Sequence, residues 1–208
     1  MLFIVALWVI HTISFFADLN LAFLGVLPRK ASGLVGILTA PLIHGDWQHL
    51  ISNTIPLAAM SAMLFLFFRR VAVKTFLLVY LLSGIGVWLF GRPDTHHIGA
   101  SGVVYGLISF VFWSGIFRRN LRSIVLALVI LVMYSGYFAG IVPGEERISW
   151  ESHLLGACAG IFLAWLYKSK IEPDEKVEPV VETAEPERYF LPRDTFDRTL
   201  AERRADGQ

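Results

Sequence analysis

The sequence predicts an all-α, polytopic membrane protein built from six transmembrane helices. Of its 208 residues, 55% are hydrophobic and 17% are charged, whereas a soluble domain of this size carries about a quarter charged residues. The charged residues also cluster, which leaves several apolar runs near the roughly 20 residues that cross a hydrocarbon core. Lysine and arginine are divided unevenly among the loops between these runs. These observations exclude a soluble globular domain.

Each of the six predicted spans is an apolar run that ends at charged residues, glycine or proline. The spans are Leu2–Ala17, Asp46–Phe68, Val71–Phe90, Gly99–Phe117, Leu121–Val142 and Ser149–Tyr167. The residues that end them are, in order, Asp18 and Asn20, Arg69-Arg70, Gly91-Arg92-Pro93, Arg118-Arg119-Asn120, Pro143-Gly144, and Lys168 with Lys170. Asp46 is well placed to cap the start of the second span, because an aspartate side chain accepts from first-turn N–H groups.

The loop charges predict the orientation of the bundle. Eight lysine and arginine residues follow the second, fourth and sixth predicted spans, and four follow the other spans. Since cytoplasmic loops carry the excess of positive charge, we expect both termini in the cytoplasm. The second, fourth and sixth spans then run from the outer face inward, and their first residues lie near the outer face.

Two stretches outside the predicted spans differ in kind. Residues 18–45 are too apolar for an ordinary loop, and we expect an external loop lying partly in the membrane interface. Residues 171–208 carry 11 acidic and 6 basic residues. Ile171–Pro186 is rich in Glu, Pro and Val and predicts a disordered linker, whereas Tyr189–Arg204 could form a short helix or docking segment. We therefore expect a membrane core over residues 1–170 and an acidic, largely disordered cytoplasmic tail over residues 171–208.

Ser101 and His153 are the candidate chemical groups. Ser101 lies in the first turn of the fourth predicted span and His153 near the first turn of the sixth, so both lie near the outer face. Serine is a weak nucleophile that needs an adjacent base, which an imidazole can supply. Glu151 lies on a different helix face from His153, so the pattern favours a Ser-His dyad. Tyr105, one turn below Ser101, could pack against the His153 ring.

Further residues could stabilise a developing oxyanion at the same depth. His49 and Asn53 are four residues apart on the second predicted span and face the same way. The backbone N–H of Ser101 is a third donor, at a helix N-terminus where the macrodipole favours negative charge. Small residues spaced four apart let two helices approach closely, and such pairs occur in the fourth and sixth spans: Gly102 with Gly106, and Gly156 with Gly160.

Each of these residues has a structural alternative when it is taken alone. A serine in a membrane helix commonly bonds its own backbone, and His49 with Asn53 could form a polar clamp between helices. His153 could be an interior histidine with a satisfied ring. Two familiar motifs are absent from the sequence: the G-x-S-x-G elbow would need glycine where Val103 stands, and no H-E-x-x-H zinc motif occurs.

Together the residues resemble the rhomboid family of intramembrane serine proteases. The resemblance covers roughly residues 1–170, and its motifs occur in the family's order. They are His49-x-x-x-Asn53, Gly99-x-Ser101-Gly102 followed by Tyr105, and His153-x-x-Gly156-x-x-x-Gly160. His44, five residues before His49, fits a structural histidine of that family.

This resemblance implies a six-helix rhomboid-like bundle with a water-filled active site below the outer surface. It makes Ser101 the nucleophile, His153 the general base, and His49 with Asn53 the oxyanion donors. We therefore expect a serine endopeptidase of the cytoplasmic membrane that cleaves transmembrane segments of other proteins through an acyl-enzyme. Its partners would be transmembrane substrates and the lipid bilayer, without nucleic acid, cofactor or metal. A catalytically inactive, client-binding relative and a small transporter are the alternative functions.

Two departures from the family's pattern, and one pair of loop histidines, bear on this interpretation. The family's Trp-Arg pair is missing from residues 18–45, which leaves the structure of that loop open. Ser152 replaces the alanine that often precedes the histidine, and we expect this change to matter little. His96 and His97 could bind metal or respond to pH, but we expect an exposed loop pair.

Overall fold

A computed structural model describes residues 2–143, 149–170 and 199–205 of the chain. The regular elements among these residues are all helical, apart from one isolated bridge between Val26 and His97. The α-helices are α1 (Leu2–Phe16), α2 (Gly36–Thr39), α3 (Trp47–Phe67), α4 (Ala72–Phe90), α5 (Ser101–Arg118), α6 (Leu121–Tyr134), α7 (Trp150–Leu166) and α8 (Leu200–Ala205). Four 3₁₀ turns cover Ala22–Leu24, Ala31–Leu34, Ala40–Leu42 and Ser135–Ile141.

Three of the described helices, α3, α4 and α5, are long and apolar enough to cross a membrane. The other predicted spans correspond to shorter helices, namely α1 with 15 residues, α6 with 14 and α7 with 17. The prediction of one continuous helix over Leu121–Val142 is wrong in its last third, because α6 ends at Tyr134 and a 3₁₀ helix follows. Gly136 and Gly140 lie in that segment, and glycine is a weak helix former.

Within the described part of residues 2–170, side-chain caps fix the beginnings of three helices. Asp46 accepts from the backbone N–H of His49 at 2.7 Å, which confirms the predicted cap of α3. Asn120 accepts from Ser123 N at 2.8 Å and starts α6. Ser149 occupies the cap position of α7. Each cap satisfies an N–H group that the helix itself leaves without a partner.

Helix α5 lies at the centre of the bundle and packs against α3, α4, α6 and α7. Its buried residues join those of its neighbours in one apolar core, which includes Leu50, Leu57, Met60, Val79, Val103, Leu107, Phe110 and Leu163. The outward faces of the surrounding helices are apolar as well. On α6, Leu121, Val125, Leu128 and Val132 follow helical spacing and are all exposed, as expected of a surface that faces lipid.

The first loop is an ordered layer attached to the end of α4. The Arg29 guanidinium donates to the carbonyls of Leu89 and Gly91, both at 3.1 Å, and the Trp88 indole donates to Lys30 O at 3.0 Å. Position 36 leaves no room for a side chain, because a Cβ there would collide with the Gly25 backbone. These contacts hold the loop in place although the Trp-Arg pair is absent.

The chain divides into two units, Met1–Glu175 and Lys176–Gln208. In the second unit the structure describes residues 199–205, where Thr199 and Glu202 form a capping box at the start of α8. Most of the predicted acidic tail, residues 171–198 and 206–208, lies outside the described residues.

Candidate active site

A polar cavity of about 580 Å³ lies where α3, α5 and α7 begin. Five predicted residues line it, namely His49, Asn53, Ser101, Tyr105 and His153. Gly102, Gly156, Gly160 and His44 do not line it but pack behind it, and Gly99 lies beside it in the loop before α5. The fold thus brings side chains from three helices, separated by up to about a hundred residues in sequence, to one cavity.

Ser101 is the first residue of α5 and stands directly after a sharp change of chain direction. Gly99 has φ +103°, a conformation that glycine adopts without strain. A Cβ at Gly99 would also lie 2.5 Å from His49 Nε2. The cap residue of α5 is Ala100, whose side chain cannot accept from the first N–H groups. These N–H groups are therefore available to a negatively charged atom beside Ser101.

The His153 ring is held from one edge and one face. Its Nδ1 lies 2.8 Å from the carbonyl oxygen of Gly140, in the 3₁₀ segment after α6. A carbonyl can only accept, so Nδ1 carries the hydrogen and the neutral ring has its lone pair on Nε2. Tyr105 stacks on the ring with centroids 4.0 Å apart and planes inclined by 7°. This tautomer is the one that a general base requires.

Glycines let α5 and α7 approach until their backbones touch. A Cβ at Gly156 would collide with the backbone of Gly102, and a Cβ at Gly160 would collide with the backbone of Gly106. This close crossing lies directly below Ser101 and His153. Larger residues at these positions would push apart the two helices that carry the candidate dyad.

The α3 side of the cavity contributes His49 and Asn53. One Asn53 Nδ2 hydrogen is donated to His49 O at 2.9 Å, one turn earlier in the same helix, and the second hydrogen is left for another acceptor. The His49 ring makes an edge contact with His44, with centroids 5.0 Å apart. Both residues therefore keep a donor that can serve a ligand in the cavity.

His44 supports the residue before Ser101 from behind the cavity. Its Nε2 accepts from the backbone N–H of Ala100 at 3.5 Å, so this nitrogen carries no hydrogen. Burial lowers the pKa of His44 to about 3, and repulsion from His49 and His11 adds to this effect. A neutral His44 is the form that this contact requires.

Sequence reasoning missed the Gly140 carbonyl, because a backbone acceptor has no residue type to recognise. It also missed Tyr137, which lines the cavity and packs on Tyr105 with centroids 5.1 Å apart. A larger residue at position 140 would displace Tyr105, since a Cβ there would collide with the Tyr105 hydroxyl. The two glycines of the 3₁₀ segment were the available sequence indication of irregular backbone.

The expectation that His97 is exposed is wrong. Its side chain is only 3% exposed, and its Nδ1 lies 2.6 Å from Ser149 Oγ. Burial lowers the pKa of His97, against a weaker opposite effect of its contact with the Arg92 carbonyl. His96, by contrast, is exposed as expected. Ser152, expected to matter little, is buried and its hydroxyl bonds Ser149 Oγ at 2.6 Å.

Comparison with known proteins places these observations in a family. The sequence pattern described as "Rhomboid domain" matches residues 31–170. The chain is 36% identical over 172 residues to "Uncharacterized protein Rv1337" of Mycobacterium tuberculosis, covering 79% of this chain and 72% of that protein. It is 29% identical over 146 residues to "Putative rhomboid protease YdcA" of Bacillus subtilis, covering 65% and 68%. It is 28% identical over 149 residues to "Rhomboid-like protein 11, chloroplastic" of Arabidopsis thaliana, covering 62% and 51%.

Proposed function

Since this chain belongs to the rhomboid family, we propose that it is an intramembrane serine endopeptidase that cleaves transmembrane segments of other proteins. Ser101 is the nucleophile and His153 is the general base. The supporting observation is that both line one cavity of mostly polar residues, with His153 Nδ1 bonded to the Gly140 carbonyl, which leaves the lone pair of the neutral ring on Nε2.

Acylation proceeds as Ser101 Oγ attacks the scissile carbonyl carbon and passes its proton to His153 Nε2. The carbonyl oxygen becomes an oxyanion, and His153 then gives the proton to the departing amine, which breaks the peptide bond. Water enters the cavity, gives a proton to His153 Nε2 and attacks the ester carbonyl carbon. The bond to Ser101 Oγ then breaks, His153 returns the proton to Ser101 Oγ, and the new carboxyl group is released. The Gly140 carbonyl performs the orienting role that an acidic residue has in a triad.

Three donors stabilise the oxyanion in this proposal. They are the backbone N–H of Ser101, the ring of His49 and the second Nδ2 hydrogen of Asn53. The N–H group belongs to the uncapped first turn of α5, where the helix dipole adds to the effect. His49 needs a hydrogen on the ring nitrogen that faces the cavity, and Asn53 is held by its bond to His49 O.

The loop charges, and the position of the cavity at the end of the bundle where α3, α5 and α7 begin, support a membrane arrangement. We propose six spans, both termini in the cytoplasm and a site that opens to the outer side of the cell membrane, with Gly102, Gly156 and Gly160 supporting the site by helix contact. A substrate helix must unwind locally before its carbonyl can be attacked, since an intact helix uses that carbonyl internally. Segments with helix-breaking and small residues are therefore the preferred substrates.

The test is cleavage of a single-span substrate by the purified protein in liposomes. Ser101→Ala and His153→Ala should each lower the rate by roughly 10³-fold or more. Ser114→Ala is the matched control, because Ser114 is a buried serine on the same helix that does not line the cavity. Its rate should stay near that of the wild type. If the wild type binds the substrate but does not cleave it, the protein is instead an inactive client-binding relative.

A further inference from the structure

Three buried or half-buried side chains connect the loop before α5 to the beginning of α7. His97 Nδ1 lies 2.6 Å from Ser149 Oγ, and Ser149 Oγ lies 2.6 Å from Ser152 Oγ. His97 Nε2 lies 3.3 Å from the carbonyl oxygen of Arg92. The backbone of His97 is itself fixed, because it exchanges two hydrogen bonds of 2.9 Å with Val26.

The donors in this chain can be assigned from the acceptor at its end. The Arg92 carbonyl can only accept, so His97 Nε2 carries the hydrogen and Nδ1 of the neutral ring accepts. The Ser149 hydroxyl then donates to His97, and the Ser152 hydroxyl donates to Ser149 Oγ. Burial, which lowers the pKa of His97, favours this neutral ring.

A second connection joins the same two segments through charge. Arg92 Nε lies 2.5 Å from Glu151 Oε1, and the Glu151 side chain is only 4% exposed. A buried carboxylate without a cation would be costly, so Arg92 holds the first turn of α7 against the loop. We call these five residues, Arg92, His97, Ser149, Glu151 and Ser152, the loop–helix clamp.

The two bonded residues of the loop–helix clamp precede the two residues of the candidate dyad at the same spacing in the sequence. His97 stands four residues before Ser101, and Ser149 stands four residues before His153. The direct bond between His97 and Ser149 therefore ties together the two short segments that lead into the nucleophile and the base. The glycine contacts set the distance between α5 and α7 within the bundle. The clamp sets the distance between the two segments that precede these helices.

We propose that His97 and Ser149 are positioning residues that hold the Ser101 hydroxyl and the His153 ring in register for proton transfer. The proposal rests on the proposed protease function. A misplacement of about 1 Å between reacting groups costs up to about 100-fold in rate. Loss of the clamp should therefore lower kcat by a larger factor than it raises KM, because misplacement of the two groups acts on proton transfer. A smaller change in KM is expected as well, since His97 and Ser149 also line the cavity.

The experiment compares cleavage kinetics and Ser101 labelling by a fluorophosphonate probe for His97→Leu and Ser149→Gly. Glycine is tolerated at a helix cap, so Ser149→Gly removes the bond while leaving α7 able to form. We expect kcat and the labelling rate to fall roughly 10- to 100-fold. Asn120→Ala is the matched control, since it removes the cap of α6 but touches no clamp residue. It should retain wild-type kcat.

A conservative variant separates positioning from general loss of structure. His97→Asn keeps an acceptor near the position of Nδ1, so its kcat should exceed that of His97→Leu by about tenfold at equal thermal stability. The double variant His97→Leu/Ser149→Gly should be no slower than the worse single variant, because both changes break the same bond.

The outcomes distinguish the two proposals. An unlabelled, inactive wild type would overturn the protease function. An active wild type whose His97→Leu and Ser149→Gly variants match Asn120→Ala in kcat and labelling would overturn the positioning role alone. Equal kcat for His97→Asn and His97→Leu would also overturn it, as would rate losses that multiply in the double variant.

Discussion

Two neighbours of α5 are packed against it in different ways. Helix α7 crosses α5 with backbone against backbone, at Gly102 with Gly156 and at Gly106 with Gly160. Helix α6 meets α5 at Gly115, where a Cβ would lie 2.5 Å from the Ala127 Cβ and 2.5 Å from the Ser123 carbonyl oxygen. Towards the candidate site, an apolar cavity of about 220 Å³ separates α6 from α5 and α7.

The difference assigns separate roles to the two sides of the site. The α5–α7 pair carries Ser101 and His153, and the backbones of its two helices are in contact. The 3₁₀ segment that continues α6 contributes one carbonyl and the Tyr137 ring, and it lies beside free volume. Close backbone packing is thus found between the helices that carry Ser101 and His153, and looser packing is found beside the segment that bonds His153 Nδ1.

The largest expected effect comes from a methyl group at the α5–α7 crossing. Gly156→Ala places a Cβ on the Gly102 backbone, which cannot move without separating the helices, so we expect a loss of about 3 kcal/mol of stability. Gly136→Ala is the control, because a Cβ there meets nothing within 4 Å. Its stability should be unchanged or up to about 1 kcal/mol higher. Thermal unfolding in detergent measures both, and equal stabilities would contradict the rigid pairing.

A smaller effect is expected where the 3₁₀ segment meets the site. Gly140→Ala places its Cβ against the Tyr105 hydroxyl and should displace the ring that stacks on His153. We expect kcat to fall about tenfold, with stability within about 1 kcal/mol of the wild type, because the segment is loosely packed. Steady-state cleavage of the single-span substrate measures this.

The double variant Gly140→Ala/Tyr105→Phe tests the stated cause. Removing the hydroxyl removes the shortest contact of the added Cβ, and the phenyl ring can still stack. The Cβ would remain 3.1 Å from Cζ of residue 105 and 3.2 Å from His153 Nδ1, so activity should recover most of the way to the level of Tyr105→Phe alone. A double variant as slow as Gly140→Ala would place the defect in the Gly140 carbonyl and not in the displaced ring.

Most of the helix ends and the grouping of the candidate residues could be predicted from the sequence, for identifiable physical reasons. Asp46 was recognisable because a capping residue acts on the residues that immediately follow it. Ser101, His153, His49 and Asn53 could be grouped because each stands at the start of an apolar run, and loop charges orient those runs together. The glycine pairs were recognisable from their spacing of four.

The features that escaped prediction depend on contacts between distant segments. His97 looks like an exposed loop residue because its partner, Ser149, lies 52 residues away. Ser152 looks like a neutral replacement because its role depends on that same contact. The Gly140 carbonyl depends on the change from α to 3₁₀ geometry after Tyr134, which overall hydrophobicity does not reveal.

The smallest expected effect is that of enlarging Ala157, which tests the free volume itself, and Ala164, two turns further along α7, is the comparison. Ala157 lines the apolar cavity, whereas Ala164 is 1% exposed within the packed core and does not line it. Ala157→Leu adds apolar volume to unfilled space, so stability should rise by up to about 1 kcal/mol. Ala164→Leu should lower it by about 1–3 kcal/mol through overpacking. Both leucines are good helix formers, so thermal unfolding isolates packing from propensity. Destabilisation by Ala157→Leu as large as that by Ala164→Leu would mean that α6 is packed as tightly against α7 as α5 is.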